Sequence, residues 1–400
     1  MCARTIVTVC LLILFGLIGI KNLHLNCDAL TVKNYSLMST FLPSVLRSLG
    51  IRMRTPKIFL LLGLVILLHT VSAADEVGDT NCLEKQTARL RVQDEVWLLS
   101  CRSLGCLPHE HLIPVEELTE GLVTWQYNLK TQHWHESQFE KIFPGSKNFQ
   151  TVIWVHGNLT TASEAFSTGL TVYKNLIRGD ENQPPVRFVI WSWPASKVLN
   201  RPVPDARLKA ARTTSAGLRL AGLVQQISDD PSVSLIGFSF GAQVVSAALE
   251  LLAGGELNQT SIKTQAVPHS YRVTLFAAAL DSYWLLPDRR FGNALSVTDH
   301  LTLINNNCDW VLKHYGKIYC HCGRRGPTAL GYTGLPVGHL ATTQKEKIKQ
   351  FNVSYSLGKE HALHAYLHSS SAMQRIREGV FQASVRSENM PELSMAGHSE

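Results

Sequence analysis

The chain has 400 residues, 45% of them apolar and 17% charged, with 27 glycines. That is too apolar and too weakly charged for a disordered chain or a coiled coil, and glycines without a triplet period exclude collagen. The formal charge of +7 is concentrated at the start, where residues 1–74 carry seven basic side chains against the single acidic Asp28. The remainder is close to neutral and has no global field to concentrate nucleic acid, so nucleic acid is not an expected partner.

Two apolar stretches come first. Residues 5–20 (TIVTVCLLILFGLIGI) lie between Arg4 and Lys21, and at that length they fall short of the ~20 residues a spanning helix needs. In the second, Arg52, Arg54 and Lys57 precede IFLLLGLVILL, and Val71-Ser72-Ala73 follows with small residues at cleavage spacing. A basic start, a short apolar run and a small-residue end define a secretory signal. Met53 stands directly before this segment. The expected organisation is therefore a signal over 53–74, with residues 1–52 either an over-extended reading frame or an anchor giving membrane association. Export to the periplasm or the medium is the expected location. Six of the nine cysteines lie beyond the leader (Cys82, Cys101, Cys106, Cys308, Cys320, Cys322), an even number that permits disulfides in an exported protein. A metal site from Cys308, His314, Cys320 and Cys322 has the wrong spacing for a zinc knuckle, and no metal is expected.

The body alternates short apolar runs with longer amphipathic ones. Strands are expected at 94–100, 122–127, 151–155, 187–193, 233–237, 272–280 and 301–305, with a further one at 351–357. Helices are expected at 162–177, 205–227 and 242–252. Continuous apolar strands separated by helices indicate a mostly parallel, doubly wound sheet covered on both faces, an α/β fold with right-handed crossovers. Residues 78–383 read as one domain, and the polar 384–400 as a disordered tail. Residues 282–298 are too short for a large cap over the fold. Residues 310–350 are long enough to shape a pocket.

The chemistry centres on Gly237-Phe238-Ser239-Phe240-Gly241, a G-x-S-x-G pattern between an apolar strand and a helix. A sharp strand-to-helix turn of this kind strains the serine backbone, requires glycines beside it, and lifts the hydroxyl over the sheet edge. Ser239 is the expected nucleophile, and the Phe240 N–H, at the helix start, an expected oxyanion donor. The strand TVIWV runs into His156-Gly157-Asn158, and such a turn supplies the second donor, here the Asn158 N–H. His156 reads as a structural side chain bonding loop carbonyls rather than as a base. The acid is expected to follow the serine, with Asp309 the first choice and Asp281 the alternative. The base is expected beyond it: His361 first, then His364, with His339 and His368 as further alternatives. Trp154, Trp191 and Trp193 read as packing residues. Sequons stand at Asn158, Asn258 and Asn352, and a glycan on Asn158 would obstruct the proposed oxyanion loop.

These motifs together resemble the α/β-hydrolase superfamily. More narrowly, the strand ending Trp154-Val155-His156-Gly157, the strand ending Trp191-Ser192-Trp193-Pro194, the Ser239 elbow and the loop Asn306-Asn307-Cys308-Asp309 resemble a bacterial family of exported α/β-hydrolase-fold proteins of uncharacterised function. The likeness runs from Thr151 to Asp309 and weakens towards the histidine. Phe238 and Phe240 stand where relatives often carry His and Met, which makes the rim more apolar. The resemblance implies a Ser-His-Asp serine hydrolase acting on a small acyl ester or thioester without a cofactor. Two other readings stay open: a hydrolase-like binding or envelope protein with a dead site, and a lipase acting at a membrane surface.

Overall fold

The computed structural model describes residues 90–105, 112–142, 149–178, 184–227, 232–263, 270–319 and 326–381, all within a compact unit that begins at Gln86. The leader, the segment before residue 90 and the expected tail lie outside the described residues, as do Cys82, Cys106, Cys320 and Cys322.

One sheet of nine strands organises the domain. The strands are β1 (Glu95–Ser100), β2 (Val123–Asn128), β3 (His133–Ser137), β4 (Gln150–Val155), β5 (Val186–Ser192), β6 (Ser232–Phe238), β7 (Tyr271–Phe276), β8 (Thr298–Asn305) and β9 (Ile348–Asn352). Their order across the sheet is β9-β8-β7-β6-β4-β5-β1-β2-β3. Every pairing in the run β9-β8-β7-β6-β4-β5-β1 is parallel, while β1–β2 and β2–β3 are antiparallel. This is the mostly parallel, doubly wound sheet expected from the sequence. β4 and β5 are buried along their whole length, as strands covered on both faces must be.

Four long helices cover the sheet: α1 (Ala162–Ile177), α2 (Pro202–Gln226), α3 (Phe240–Leu252) and α4 (Ser370–Val380). α2 and α3 pack closely on each other, while α4 lies against β7 and β8 and touches α1. α1 starts from a complete capping box, in which the Thr161 hydroxyl accepts from the Glu164 N–H and the Glu164 carboxylate accepts from the Thr161 N–H. Such reciprocal bonds satisfy donors that a helix start leaves open.

The chain leaves β4 towards β5 on one side, then returns to place β6 on the other side of β4. The loops after β4 and β6 therefore diverge over adjacent strand ends, and a crevice opens between them. His156–Asn158 follows β4 and Ser239 follows β6, so both sequence motifs flank this crevice.

Two strand expectations need correction. The run 272–280 stops being a strand at Phe276, because Ala277 turns to a left-handed φ of 47° and starts the loop that carries the chain over Ser239. The run 351–357 is displaced: the strand is Ile348–Asn352, and Ser354–Leu357 is a helical turn. The edge strand β3 carries His133, His135 and Glu136 on mostly exposed positions and had no apolar alternation to announce it.

The α2–α3 contact depends on a small residue. A Cβ at Gly217 would lie 2.6 Å from the Ala247 Cβ and 2.8 Å from the Val244 carbonyl oxygen. Gly217→Val should force the helices apart and destabilise the domain by roughly 1–3 kcal/mol. Denaturant unfolding followed by circular dichroism measures this, and an unchanged midpoint would contradict the packing described.

Candidate active site

Ser239 sits at the β6–α3 junction with φ 53° and ψ −120°, a backbone conformation that a non-glycine residue keeps only when its surroundings enforce it. The enforcement is visible. The Ser239 N–H donates to the Phe276 carbonyl, and its own carbonyl accepts from the Ala242 and Ala279 N–H groups. The helix start presses against the end of β4 so closely that a Cβ at Gly241 would lie 2.1 Å from the Val155 carbonyl oxygen. Only glycine fits there.

Two further loops converge on the serine hydroxyl. His361 Nε2 lies 3.0 Å from Ser239 Oγ, and His361 Nδ1 lies 2.7 Å from Asp309 Oδ2. A carboxylate accepts, so Nδ1 carries the proton and Nε2 accepts from the serine hydroxyl. Asp309 is completely buried, and its other oxygen accepts from the Val311 and Leu312 N–H groups at 2.8 and 2.9 Å. That bond pair caps the short helix Trp310–Lys313 and fixes the carboxylate plane.

The Asp309 and His361 loops are fastened by Asn306, itself completely buried. Its amide Nδ2 donates to the carbonyls of Gly358 and Glu360 at 3.0 and 3.1 Å, and its Oδ1 accepts from the Cys308 N–H at 3.0 Å. Asn306 was visible in the sequence only as part of a motif. Its bridging role arises from contacts more than fifty residues apart in the chain.

The other sequence candidates fall elsewhere. Asp281 caps a turn through the Tyr283 N–H and makes a bridge with Ala329. His364 is exposed and its ring lies near that of His368, with centroids 6.3 Å apart and planes tilted by 60°. His339 packs near Tyr283. Cys101 is buried and Cys308 exposed, both as free thiols, and the His314 ring bonds the Trp310 carbonyl. Among the described residues no group of three His, Cys, Asp or Glu side chains is placed to hold a metal.

His156 is buried against Trp193, with ring centroids 5.7 Å apart. Its Nδ1 lies 3.0 Å from the Gly157 carbonyl oxygen, an obligate acceptor, so Nδ1 is the protonated nitrogen. Nε2 then accepts from the Trp193 N–H at 3.3 Å and from Arg102 Nη2 at 3.1 Å. Burial, and secondarily the Arg102 charge, hold the imidazole down to about 3, against the bond to Gly157 that raises it. His156 is thus a neutral structural residue. Trp154, Trp191 and Trp193 are completely buried packing residues.

A trans peptide points its carbonyl and the following N–H in opposite directions. The Gly157 carbonyl is engaged by His156 Nδ1 and by Thr160 Oγ1 at 3.2 Å. The Asn158 N–H is therefore turned away from them. The loop passes close over the β6–α3 turn: a Cβ on Gly157 would approach the Ser239 Cβ to 3.1 Å and the Phe238 ring to 2.9 Å. Asn158, Phe240, Ser239 and His361 all line one cavity of about 440 Å³. Its walls are largely apolar, with Phe238, Ala279, Leu312, Tyr315, Ile318 and Leu363 among them. Leu312, Tyr315 and Ile318 come from the 310–350 segment expected to shape the pocket. Arg102 reaches His156 from the end of β1, and nothing in the local pattern LLSCRS sets it apart from a solvated arginine.

No family model matches the chain, and no curated protein matches it. Among solved structures, the chain is similar to Zea mays acyl-protein thioesterase 2, at 14% identity over 60% of this chain and 97% of that one, with a TM-score of 0.32. It is also similar to the catalytic core domain of an acetyl xylan esterase from Trichoderma reesei, at 14% identity over 57% of this chain and 98% of that one, with a TM-score of 0.31.

The buried state of His156 has a consequence for acid stability. Its folded-state pKa is depressed to about 3 from an ordinary 6.5, so between these values the unfolded chain binds the extra proton. The stability it contributes is fully present above pH 6.5 and is lost as pH falls towards 3. Urea-unfolding free energies measured from pH 7 to pH 4 should fall more steeply for the wild type than for His156→Gln, by up to ~1.4 kcal/mol per pH unit. Equal slopes would mean that the imidazole is not held neutral.

Proposed function

We propose that the protein is an exported serine hydrolase that cleaves carboxylic esters or thioesters with a predominantly apolar acyl or aromatic group. The observation that carries this reading is the hydrogen-bonded series Ser239–His361–Asp309, with the serine on a strained elbow at the wall of a largely apolar cavity.

In this reading the Ser239 oxygen attacks the acyl carbonyl while His361 Nε2 takes its proton. Asp309 holds the imidazole in the required tautomer and stabilises its cation. The N–H groups of Asn158 and Phe240 receive the oxyanion. Neither has a hydrogen-bond acceptor among the described residues, so both are available to developing charge. The tetrahedral intermediate collapses as His361 returns the proton to the leaving oxygen or sulfur. Water, activated by the same imidazole, then attacks the acyl-enzyme and releases the acid and the free serine. Phosphate-bearing or strongly anionic substrates are disfavoured, since among the described residues the cavity wall carries the Glu164 carboxylate and no lysine or arginine.

A second reading, a lipase working on a membrane surface, is favoured by one feature. Leu159, Trp310 and Val311 are each more than half exposed and stand at or beside the cavity mouth, and Lys313 lies over the Trp310 ring. Apolar side chains edged by a cation suit a lipid interface. Turnover of a short-chain ester that rises sharply above its micellar threshold supports this reading. A smooth saturation curve through that threshold rejects it.

The esterase reading itself is tested with a fluorophosphonate probe and p-nitrophenyl esters. Wild-type protein should be labelled once and turn over ester, and Ser239→Ala should lose both. Asp309→Asn, which leaves the imidazole in the wrong tautomer, should lower kcat by about 10⁴-fold. Well-folded wild-type protein with neither labelling nor turnover would favour a binding protein with an inactive site. Export is tested separately by N-terminal sequencing of protein recovered outside the cytoplasm, which should begin near Ala74 or Asp75.

A further inference from the structure

We propose that Arg102 is the positioning residue of the oxyanion loop, clamping both ends of residues 156–161 so that the Asn158 N–H is held over Ser239. This rests on the serine-hydrolase reading above and adds to it a residue outside the triad and the oxyanion donors.

The guanidinium divides its donors between two loops. Towards the end of β5 and the loop after it, Nε donates to Ser192 Oγ at 2.7 Å and Nη1 to Ser196 Oγ at 3.1 Å. Towards the loop after β4, Nη2 meets His156 Nε2 at 3.1 Å, the Thr160 carbonyl at 2.9 Å and the Thr161 carbonyl at 3.3 Å. The backbone of Arg102's neighbour is tied in as well, since the Cys101 N–H donates to the Ser192 carbonyl at 3.0 Å. One planar fork thus joins the end of β1 to the first and last residues of the loop that carries Asn158. A lysine ammonium, a single point charge, cannot span these acceptors at once.

The direction of the effect follows from the atoms between. Arg102 fills the acceptor on His156 Nε2, which leaves Nδ1–H as the donor to the Gly157 carbonyl. That carbonyl sets the plane of the Gly157–Asn158 peptide and so the aim of the Asn158 N–H. The next residue, Leu159, holds a φ of 61° although it is not glycine and is more than half exposed. A strained, exposed residue of this kind persists only when its flanks are over-determined. The Arg102 bonds to Thr160 and Thr161 supply one flank, and the His156–Gly157 bond supplies the other. The Thr161 end is also the cap of α1, so the clamp ties the loop to a rigid element.

The experiment measures kcat and KM on a p-nitrophenyl ester, normalised to the serines titrated to completion by fluorophosphonate. A purely structural residue changes the folded fraction and the melting temperature, but not kcat per titrated site. Arg102→Ala should lower kcat per site by about 10²-fold, the scale of losing one oxyanion donor, with KM changed less than about threefold. Arg102→Lys, which keeps the charge and is the more conservative change, should fold and still lose kcat by more than tenfold. Because both residues act through the Gly157 carbonyl, the double variant with His156→Gln should be little worse than the poorer single variant. Unchanged kcat per site in Arg102→Lys, or additive losses in the double variant, would overturn the assignment while leaving the esterase reading standing. Wild-type protein without Ser239-dependent turnover would overturn both.

Discussion

The close approach of two backbones beneath Ser239 constrains everything around it. α3 begins so near the end of β4 that the Gly241 position tolerates no side chain against the Val155 carbonyl. That contact sets the tightness of the elbow, and the elbow sets the left-handed conformation that raises the hydroxyl above the sheet. Ala277 and Ala279 then bring the chain after β7 across the same point, where the Ala279 N–H donates to the Ser239 carbonyl. Two strand ends, one helix start and one crossing loop thus meet within a few ångströms. A substitution that widened any of these contacts would release strain and misplace the hydroxyl together.

Around this fixed point the domain arranges two kinds of side chain with different physics. The polar ones form closed hydrogen-bond sets: Asp309 with His361, Val311 and Leu312; Asn306 with Cys308, Gly358 and Glu360; His156 with Arg102, Gly157 and Trp193. Buried groups satisfied in this way hold one geometry, because leaving any member unpaired costs about 1–3 kcal/mol. The apolar ones line the cavity and its mouth, where low polarity strengthens the electrostatic interactions made by the donors that remain. The serine and its imidazole sit where the two kinds meet. That arrangement suits the proposed reaction at an acyl carbonyl, which needs a dry pocket for the group it carries and a few fixed dipoles for the charge it develops.

Much of this was legible in the sequence because it is written in local terms. The period of apolar residues marked α1 to the residue and the parallel strands to within a residue or two at most ends. The elbow was legible because its steric demand selects glycine two positions either side of a serine. His361 stands directly behind a glycine turn and before a helix, and Asp309 follows a late strand. The misreadings have local causes too. The alanines after Phe276 look like strand residues because small apolar side chains carry no mark of a left-handed turn. The edge strand β3 is too polar to show a period of two.

The sequence by itself therefore determined the α/β class, the serine on its turn, and a short roster of candidate carboxylates and imidazoles, since each of these is encoded by spacing within a few residues. Tertiary structure alone decided which histidine meets the serine and which aspartate meets that histidine, because the partners lie 122 and 52 residues apart and several candidates share the same local pattern. It alone assigned Arg102 and Asn306 their places, since a bridge between loops is a property of three-dimensional proximity, and no arrangement of neighbours along the chain records it.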